Sequence, residues 1–593
     1  MPRPRGDRPT APYRLVRRPG GACRAATALI LGAVLAACTG QPLPLVQPGN
    51  GPVSTPVAVP AEQEIVLGVD RLTGGFNPHN LADLTPLSQA VAGLLLPSAF
   101  HQTPAGQWVL DDTLLDSAEV TNTAPFTVTY RIRRNAQWSD ITPIAAEDFG
   151  YLAEQMRSQP GVLDSAGYQL IDQVVSRDGG KTAEVVFHRP YAGWRTLFRH
   201  LVPAHLLKDA PGGWSKGFDA GLPVSGGPFA MVSVDPSRGE MVLVRNDRYW
   251  DVPAQVDRIL FRQGSDAALV EALRTGGAQA AFFGRPNAIT ESLLRAADLG
   301  VTPMVVPQPV LVSVLLRPAS QVLDDQRVRT AVAAALDRPS LIATGVASGP
   351  SAVLRADSAV LAPLARGYQA TAPAAGVPVA PDPDTVRRSL TDAGYTRGPV
   401  YWERAAKPLR LVVAAPADRE PYGTLAARVA DQLRIAGIDA ELHEVDPDEL
   451  FATMLGPTPA AGGESFRPAS VTVDDGVDIA VVPQPAAGHP ATQLASWYGC
   501  PLVVPARLAP APPNPAGFCD LTLQQFIERA LVQDDPVGAV TPAVDAALWD
   551  QIVTIPLYQQ VSLLVSTSQL SGPAPGTALE GPLDGAARWQ RRR

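Results

Sequence analysis

An α/β fold built on mixed sheets is the architecture this chain predicts, and three stretches carry the prediction. FTVTYRIRRNAQWSDITPIAAEDFGY, from Phe126 to Tyr151, opens with the alternation of a half-buried strand. Phe126, Val128, Tyr130 and Ile132 face one way, and Thr127, Thr129, Arg131 and Arg133 face the other. A polar turn carrying Trp138 follows. Ala145-Ala146-Glu147-Asp148 then opens a helix whose acidic first turn suits the positive end of the helix dipole. Further on, residues 409–414 read as a strand, 426–435 as a helix and 437–442 as a strand after a glycine stop. That β-α-β order calls for a partly parallel sheet. Residues 241–245 alternate again, with Val242 and Val244 on one side.

Charge divides the chain before any element is placed. Residues 1–37 hold seven arginines (Arg3, Arg5, Arg8, Arg14, Arg17, Arg18 and Arg24) and one Asp, a net +6 within a whole-chain charge of -8, leaving -14 on the rest. An acidic body of that kind offers no footprint for nucleic acid. The 593 residues suffice for two or three domains, and 60 prolines predict several unstructured connections between elements.

The basic leader runs into an apolar stretch, Ala25 to Val34, too short to span a bilayer, and so reads as an export signal over residues 1–37. It ends in Leu35-Ala36-Ala37-Cys38, which looks like a bacterial lipobox, where the cysteine thiol takes a diacylglycerol before cleavage; the competing reading is an ordinary signal with a coincidental cysteine. Lipid on Cys38 would anchor the protein to the outer face of the cell membrane. Arg17-Arg18 resembles a twin-arginine signal, but Pro19-Gly20-Gly21 lacks the apolar continuation, so the export route stays open between the two systems. With Cys23 removed and Cys38 lipidated, Cys500 and Cys519 remain in an oxidising setting, and a disulfide between them is expected. It would close a proline-rich loop and contribute ~3 kcal/mol. A metal site there is disfavoured, because no His or further Cys stands at ligand spacing.

Residues 38–60 carry Pro and Gly, no charge and no periodicity, the composition of a tether. The folded body begins near Ala61, with residues 64–69 as a first buried strand, a turn at Gly75-Phe76-Asn77-Pro78-His79 and a helical run from Leu87 to Phe100. Arg177-Asp178-Gly179-Gly180-Lys181 reads as a hairpin turn between residues 169–176 and 183–187. Catalytic motifs fail on context. Gly180-Lys181-Thr182 lacks the first glycine of a phosphate loop and precedes a strand. Gly213-Trp214-Ser215-Lys216-Gly217 fits G-x-S-x-G, but no strand runs into the serine. His200 and His205 are five apart, not the four that places two ligands on one helix face. No catalytic residue, no metal and no cofactor is expected.

Trp138, Ser139, Asp140, Pro143, Ala146 and Asp148 together resemble the signature of the family 5 extracellular solute-binding proteins, the peptide- and nickel-binding components of ABC importers; Ile141 stands where the family has glycine. The resemblance continues through Ser225-Gly226-Gly227-Pro228-Phe229, then the strand ending in Asn246-Asp247-Arg248-Tyr249-Trp250. It extends to Asp324 through Arg338, where Val328, Ala331, Val332 and Ala335 share a helical face, and to the helix from Asp384 to Tyr395. At Gly277-Ala278-Gln279-Ala280 two acidic residues of the family pattern are lost.

Spread over residues 62–570, this likeness implies a type II periplasmic-binding-protein-like fold: two lobes around a ligand cleft, with an extra domain inserted. Lobe I would take residues 61–100, 225–305 and 546–575, the inserted domain II residues 101–224, lobe III residues 306–545, and residues 576–593 a flexible tail. The implied function is capture of a polar, peptide-like ligand for an ABC importer permease, by a monomer. Gly75 to His79, Arg245 to Trp250 and Tyr498-Gly499-Cys500 also resemble a narrower branch of envelope lipoproteins associated with phosphatidylinositol mannosides. That branch implies a glycolipid ligand, or an envelope glycolipid-synthesis enzyme as partner. Peptide-binding members place a carboxylate after the strand equivalent to residues 478–482, to pair with the peptide ammonium. Here residues 483–490 contain none. Gln484 and His489 could instead hydrogen-bond sugar hydroxyls, and Trp497 and Tyr498 could stack on a sugar ring. The plainer alternatives are that the first two cap a proline-rich loop and the aromatic pair packs on the disulfide.

Overall fold

The computed structural model describes residues 63–72, 75–373, 380–455, 476–500, 503–504, 507–508, 514–533 and 540–592. The export signal, Cys38 and the tether lie outside the described residues. Two unusually long strands, Met304–Leu316 and Thr554–Ser566, each of 13 residues, the first buried from Val310 on and the second along most of its length, run antiparallel through the middle of a ten-stranded sheet. On one side the sheet continues through Ala280–Phe283, Glu64–Val69, Arg258–Gln263, Glu240–Arg245 and Phe229–Asp235. On the other it continues through Ile479–Pro485, Arg410–Pro416 and Asp439–Val445.

Each long strand therefore serves both halves. Met304 to Pro307 pair with Val561 to Leu564, beside the first group, whereas Val310 to Leu316 pair with Ile479–Pro485, in the second. Between Pro307 and Leu311 the register slips by two residues. Pro307 and Pro309 have no N–H to give the ladder, so the pairing breaks at this point. Gln559 bridges the gap: its Nε2 donates to the Gln308 carbonyl (3.0 Å) and its Oε1 accepts from Leu364 N–H (2.8 Å). A strand pair shared by two lobes and weakened at one point is a hinge in form.

The β-α-β reading of the second half holds. Arg410–Pro416 pairs in parallel with both Asp439–Val445 and Ile479–Pro485, and helix Tyr422–Ile435 connects the first two. Its apolar face (Leu425, Ala426, Val429 and Leu433) is fully buried in a core separate from that of the first half.

Residues 115–187 form their own antiparallel sheet, in the order Leu115–Thr123, Phe126–Ile132, Thr182–Phe187, Ile171–Arg177, including the expected hairpin. The strand Phe126–Ile132 is more buried than its alternation suggests, because Thr127 and Thr129 are covered as well. The turn after it is held by side chains of the signature. The Asp148 carboxylate accepts from Ala145 N–H (2.9 Å), from Ala204 N–H (3.0 Å) and, more loosely, from the Trp138 indole (3.4 Å). It thereby starts helix Ala146–Ser158 and ties it to the turn. Ser139 exchanges hydrogen bonds with the backbone of Ser225, so two separate sequence motifs meet in one joint. Ile141 sits at φ 72°, the left-handed region that glycine occupies without cost.

Two expectations need correction. The helical run from Leu87 to Phe100 is a helix only over Pro86–Leu95; Phe100 begins the short strand Phe100–Gln102. Residues 576–592 are not a free tail. Leu583 and Trp589 are buried, Glu580 is enclosed by His101 and Arg199, and Gln590–Arg591 pairs with Leu570–Ser571. Two apolar side chains and one buried carboxylate hold a segment expected to be a flexible tail. Cys500 and Cys519 are disulfide-bonded, with Cα atoms 4.7 Å apart.

Candidate ligand site between the lobes

The lobes touch through polar groups carried by short, specific stretches. After strand Ile479–Pro485 the chain turns through Gly488 and His489 into helix Pro490–Tyr498. That helix faces the turn Ser165–Leu170 of the inserted sheet, where the Ser496 hydroxyl accepts from Ala166 N–H (3.2 Å). Tyr191 and Thr492 hydroxyls lie 2.6 Å apart, Ala192 N–H donates to the Leu531 carbonyl (2.8 Å), and Arg189 pairs with Glu528 (3.1 Å). Arg419 donates to the carbonyls of Ala82 and Leu84 from the opposite side. Gly193 allows the closest approach: a Cβ there would lie 2.6 Å from the Tyr191 hydroxyl and 2.9 Å from the His489 ring. The lobes are thus closed on one another.

A cavity of about 70 Å³ remains between them. It has room for a few waters and is far below the ~300 Å³ at which ligand pockets begin. One wall is Ala487, Gly488, His489 and Thr492; the other is Leu163, Asp164, Tyr168, Thr196, Leu197, Arg199 and His200, with Pro78, His79 and Gln89 below. The second wall is strained as well as polar. Asp164 and His200 on the wall, and Phe198 behind it, have positive φ (50°, 49° and 57°), and Phe198 is too bulky to favour it. Tyr168 and Ser98 hold the loop by accepting from Phe198 N–H (2.8 Å) and His200 N–H (3.0 Å). Backbone outliers of this kind cluster at ligand sites.

Burial governs the charges on this wall. It lowers His79 to about 4, so the ring is neutral, its Nε2 donating to the His200 carbonyl (2.9 Å) and its face stacked on Trp214. His200 is likewise held well below the usual histidine range by burial and by Arg199. Arg199 donates to the Leu579 carbonyl (2.9 Å) and pairs with Glu580 (3.5 Å). Burial raises Glu580, but Arg199 and His101 outweigh it and hold the carboxylate at about 2. His101, desolvated yet sandwiched between Asp111 (2.9 Å) and Glu580 (3.6 Å), is held up at about 10. Asp164 differs: burial, opposed only by the charge of Arg199, raises it to about 7. Its Oδ1 is sealed from solvent and accepts no hydrogen bond.

Of the four residues expected to contact ligand, only His489 lines the cavity. Its Nδ1 lies 3.1 Å from the Thr492 hydroxyl, and its ring stands edge-on to Tyr191. Gln484 is buried beneath the site, donating to the Ala359 carbonyl (2.5 Å) and the Tyr498 hydroxyl (3.0 Å). The stacking role expected of Trp497 and Tyr498 does not fit: both rings are core side chains with no face toward the cavity. Asp164, His79, Arg199 and His200 went unread as site residues because nothing in their local sequence marks them. Lone polar residues such as the Asp in Val162-Leu163-Asp164-Ser165-Ala166 become a site only through tertiary burial.

Residues 113–475 match the family described as bacterial extracellular solute-binding proteins, family 5. Over 94% of its length the chain is 35% identical to 96% of a Mycobacterium tuberculosis protein named "Probable monoacyl phosphatidylinositol tetramannoside-binding protein LpqW". It is 27% identical to the oligopeptide-binding protein OppA of the same organism, over 84% of this chain and 80% of that one. Among solved structures, the periplasmic EDTA-binding protein EppA superposes with a TM-score of 0.68 at 22% identity, over 90% of this chain and 97% of that one. The oligopeptide-binding protein AppA of Bacillus subtilis, bound to a nonapeptide, does so at 0.69 and 14% identity, over 90% and 100%. These two likenesses bear on the fold, which is that of type II periplasmic binding proteins. The relatives and structural neighbours are binding proteins, not enzymes.

Proposed function

This chain belongs to the bacterial extracellular solute-binding proteins of family 5, and from that premise we propose that it is an exported lipoprotein, anchored through Cys38 to the outer face of the cell membrane, that captures a polar ligand between its lobes. The observation that carries the reading is the closure itself. Two lobes share a hinge-like pair of long strands and meet through side-chain hydrogen bonds around a small cavity lined by both polar and apolar groups. In such a protein the ligand is enclosed by hinge motion, and the closed form is what a partner recognises. An ABC importer permease is that partner in the transport reading, with a peptide-like ligand and a monomeric binding protein.

The relative at 35% identity over nearly the whole chain favours a second reading, a non-transport envelope protein of the same fold. It would bind a phosphatidylinositol mannoside, or act on an enzyme of lipoglycan synthesis. The absence of a carboxylate from residues 483–490 supports this reading, since a peptide ammonium loses its usual partner there. Mass spectrometry of ligand co-purified with the membrane-extracted protein separates the two: a peptide mixture supports transport, a mannosylated lipid the second reading. Cys38→Ser tests the anchor, by release from the membrane fraction.

A further inference from the structure

We propose that Asp164 is a ligand-binding residue, its carboxylate receiving a hydrogen-bond-donating group of the ligand, a hydroxyl or an ammonium, from the wall of the cavity opposite Gly488 to Thr492. The inference rests on reading the chain as a binding protein and adds the residue and the chemistry. Asp164 stands at the N-cap of the turn Ser165–Leu170, where an Asp ordinarily caps; here its side chain makes no capping bond. It lines the cavity as a half-buried side chain whose Oδ1 has no hydrogen-bond partner, and an acceptor left unmade at such a site is costly.

The neighbouring charges do not supply the missing partner. Arg199 is engaged by Glu580 and by the Leu579 carbonyl, and His101 lies between Asp111 and Glu580. Asp164 is the carboxylate this network leaves over, and His79 beside it is neutral. A group that donates, whether charged or not, completes the site; a ligand carboxylate or phosphate at this position would be repelled. The left-handed backbone at Asp164 is one that Asp and Asn both tolerate, so the isosteric variant leaves the loop in place. The pairing role that residues 483–490 cannot fill is thereby met from the facing domain.

The test is calorimetry on detergent-extracted full-length protein and its Asp164→Asn variant, with trialanine, N-acetyl-trialanine and a phosphatidylinositol mannoside in micelles. Binding by the wild type that weakens at least tenfold in Asp164→Asn is the expected result. If trialanine binds, acetylation abolishes binding and affinity rises from pH 5.5 to 8 in the wild type alone, the donor is an ammonium. If the glycolipid binds and the peptides do not, the donor is a hydroxyl. A probe bound equally by both proteins overturns the role of Asp164 and leaves the binding function standing; wild-type protein that binds no probe overturns both. The ligand-free variant should melt no lower than wild type at pH 8. A lower melting temperature would give the carboxylate a structural task and overturn the proposal.

Discussion

The two walls of the cavity differ in what their polar groups are doing. On the lobe III side, His489 and Thr492 are hydrogen-bonded together, Thr492 also reaches Tyr191, and Gln484 behind them holds Ala359 and Tyr498. The polar side chains lining that wall are paired with one another, and the unpartnered oxygens on this side, Gln484 Oε1 and Gln493 Oε1, belong to residues that do not line the cavity. On the facing side the half-buried Asp164 has an Oδ1 with no hydrogen-bond partner, His200 is held in a costly backbone conformation, and so is Phe198 behind it. Folding alone favours neither feature, and both persist only because the surrounding structure enforces them. The difference teaches that polarity is a poor marker of a binding residue: an unpaired buried group says more than a paired one.

The largest test of that contrast is on the paired side. Trp497→Ala removes a ring buried in the core and should lower stability by about 3–5 kcal/mol, read by denaturant unfolding. Ligand affinity per folded molecule should stay unchanged. Loss of affinity at unaltered stability would return Trp497 to the site.

Asp164→Asn attacks the other side and should do the reverse. The carboxyl rises from 3.8 to about 7 on folding, so its ionised form is penalised in the native state. The penalty is absent below pH 4, grows as the pH climbs from 4 to 7, and is complete above pH 7. At about 1.4 kcal/mol for each pKa unit, less the cost of burying the amide, the variant gains roughly 2–3 kcal/mol at pH 8 and nothing at pH 4. A gain independent of pH would mean that charge is not what strains this wall.

Much of this fold is legible in local sequence, and the limits follow from the range of the interactions. The stretch from Phe126 to Tyr151 reads correctly because alternation, turn and helix start all act within a few residues; Asp148 caps the helix that its own position announces. The disulfide was legible because only two cysteines remain in the body. The hinge strand Met304–Leu316 escaped notice because Pro307 and Pro309 argue against a central strand, and it is central only through partners far away in sequence. Asp164 is illegible for a related reason: the cavity it lines is assembled from stretches far apart in sequence. Residues 576–592 read as a flexible tail, yet Trp589 anchors them.

Strain without function supplies a control for the strained wall. Ile141 lies on neither wall, exposed, at φ 72° where the family signature has glycine. A non-glycine residue there costs about 1–2 kcal/mol, and glycine returns part of that through the freer unfolded chain. Ile141→Gly should therefore raise stability by about 1 kcal/mol, measured by thermal melting, at every pH and without changing affinity. A change in affinity would show that the signature turn communicates with the cavity.

The smallest effect expected is at the contact that joins the walls. Tyr191→Phe deletes one hydroxyl, which lies 2.6 Å from Thr492 across the lobes and 3.3 Å from Thr196 within its own. The ring stays buried, and Thr492 keeps its contact with His489, so no polar atom is stranded. The loss is one neutral hydrogen bond, about 1 kcal/mol, present when the lobes are closed and absent when they open. Because the bond belongs to one of two states, its loss shifts their ratio by about fivefold toward the open form. Small-angle scattering of the ligand-free protein should report a larger radius of gyration, and any ligand should bind about fivefold more weakly. Thr492→Val removes the same bond together with the His489 contact, so the double variant should be no worse than Thr492→Val alone. Additive losses would mean that the hydroxyls act separately, and that closure is held elsewhere, by Arg189 with Glu528 or by Arg419 on Ala82 and Leu84.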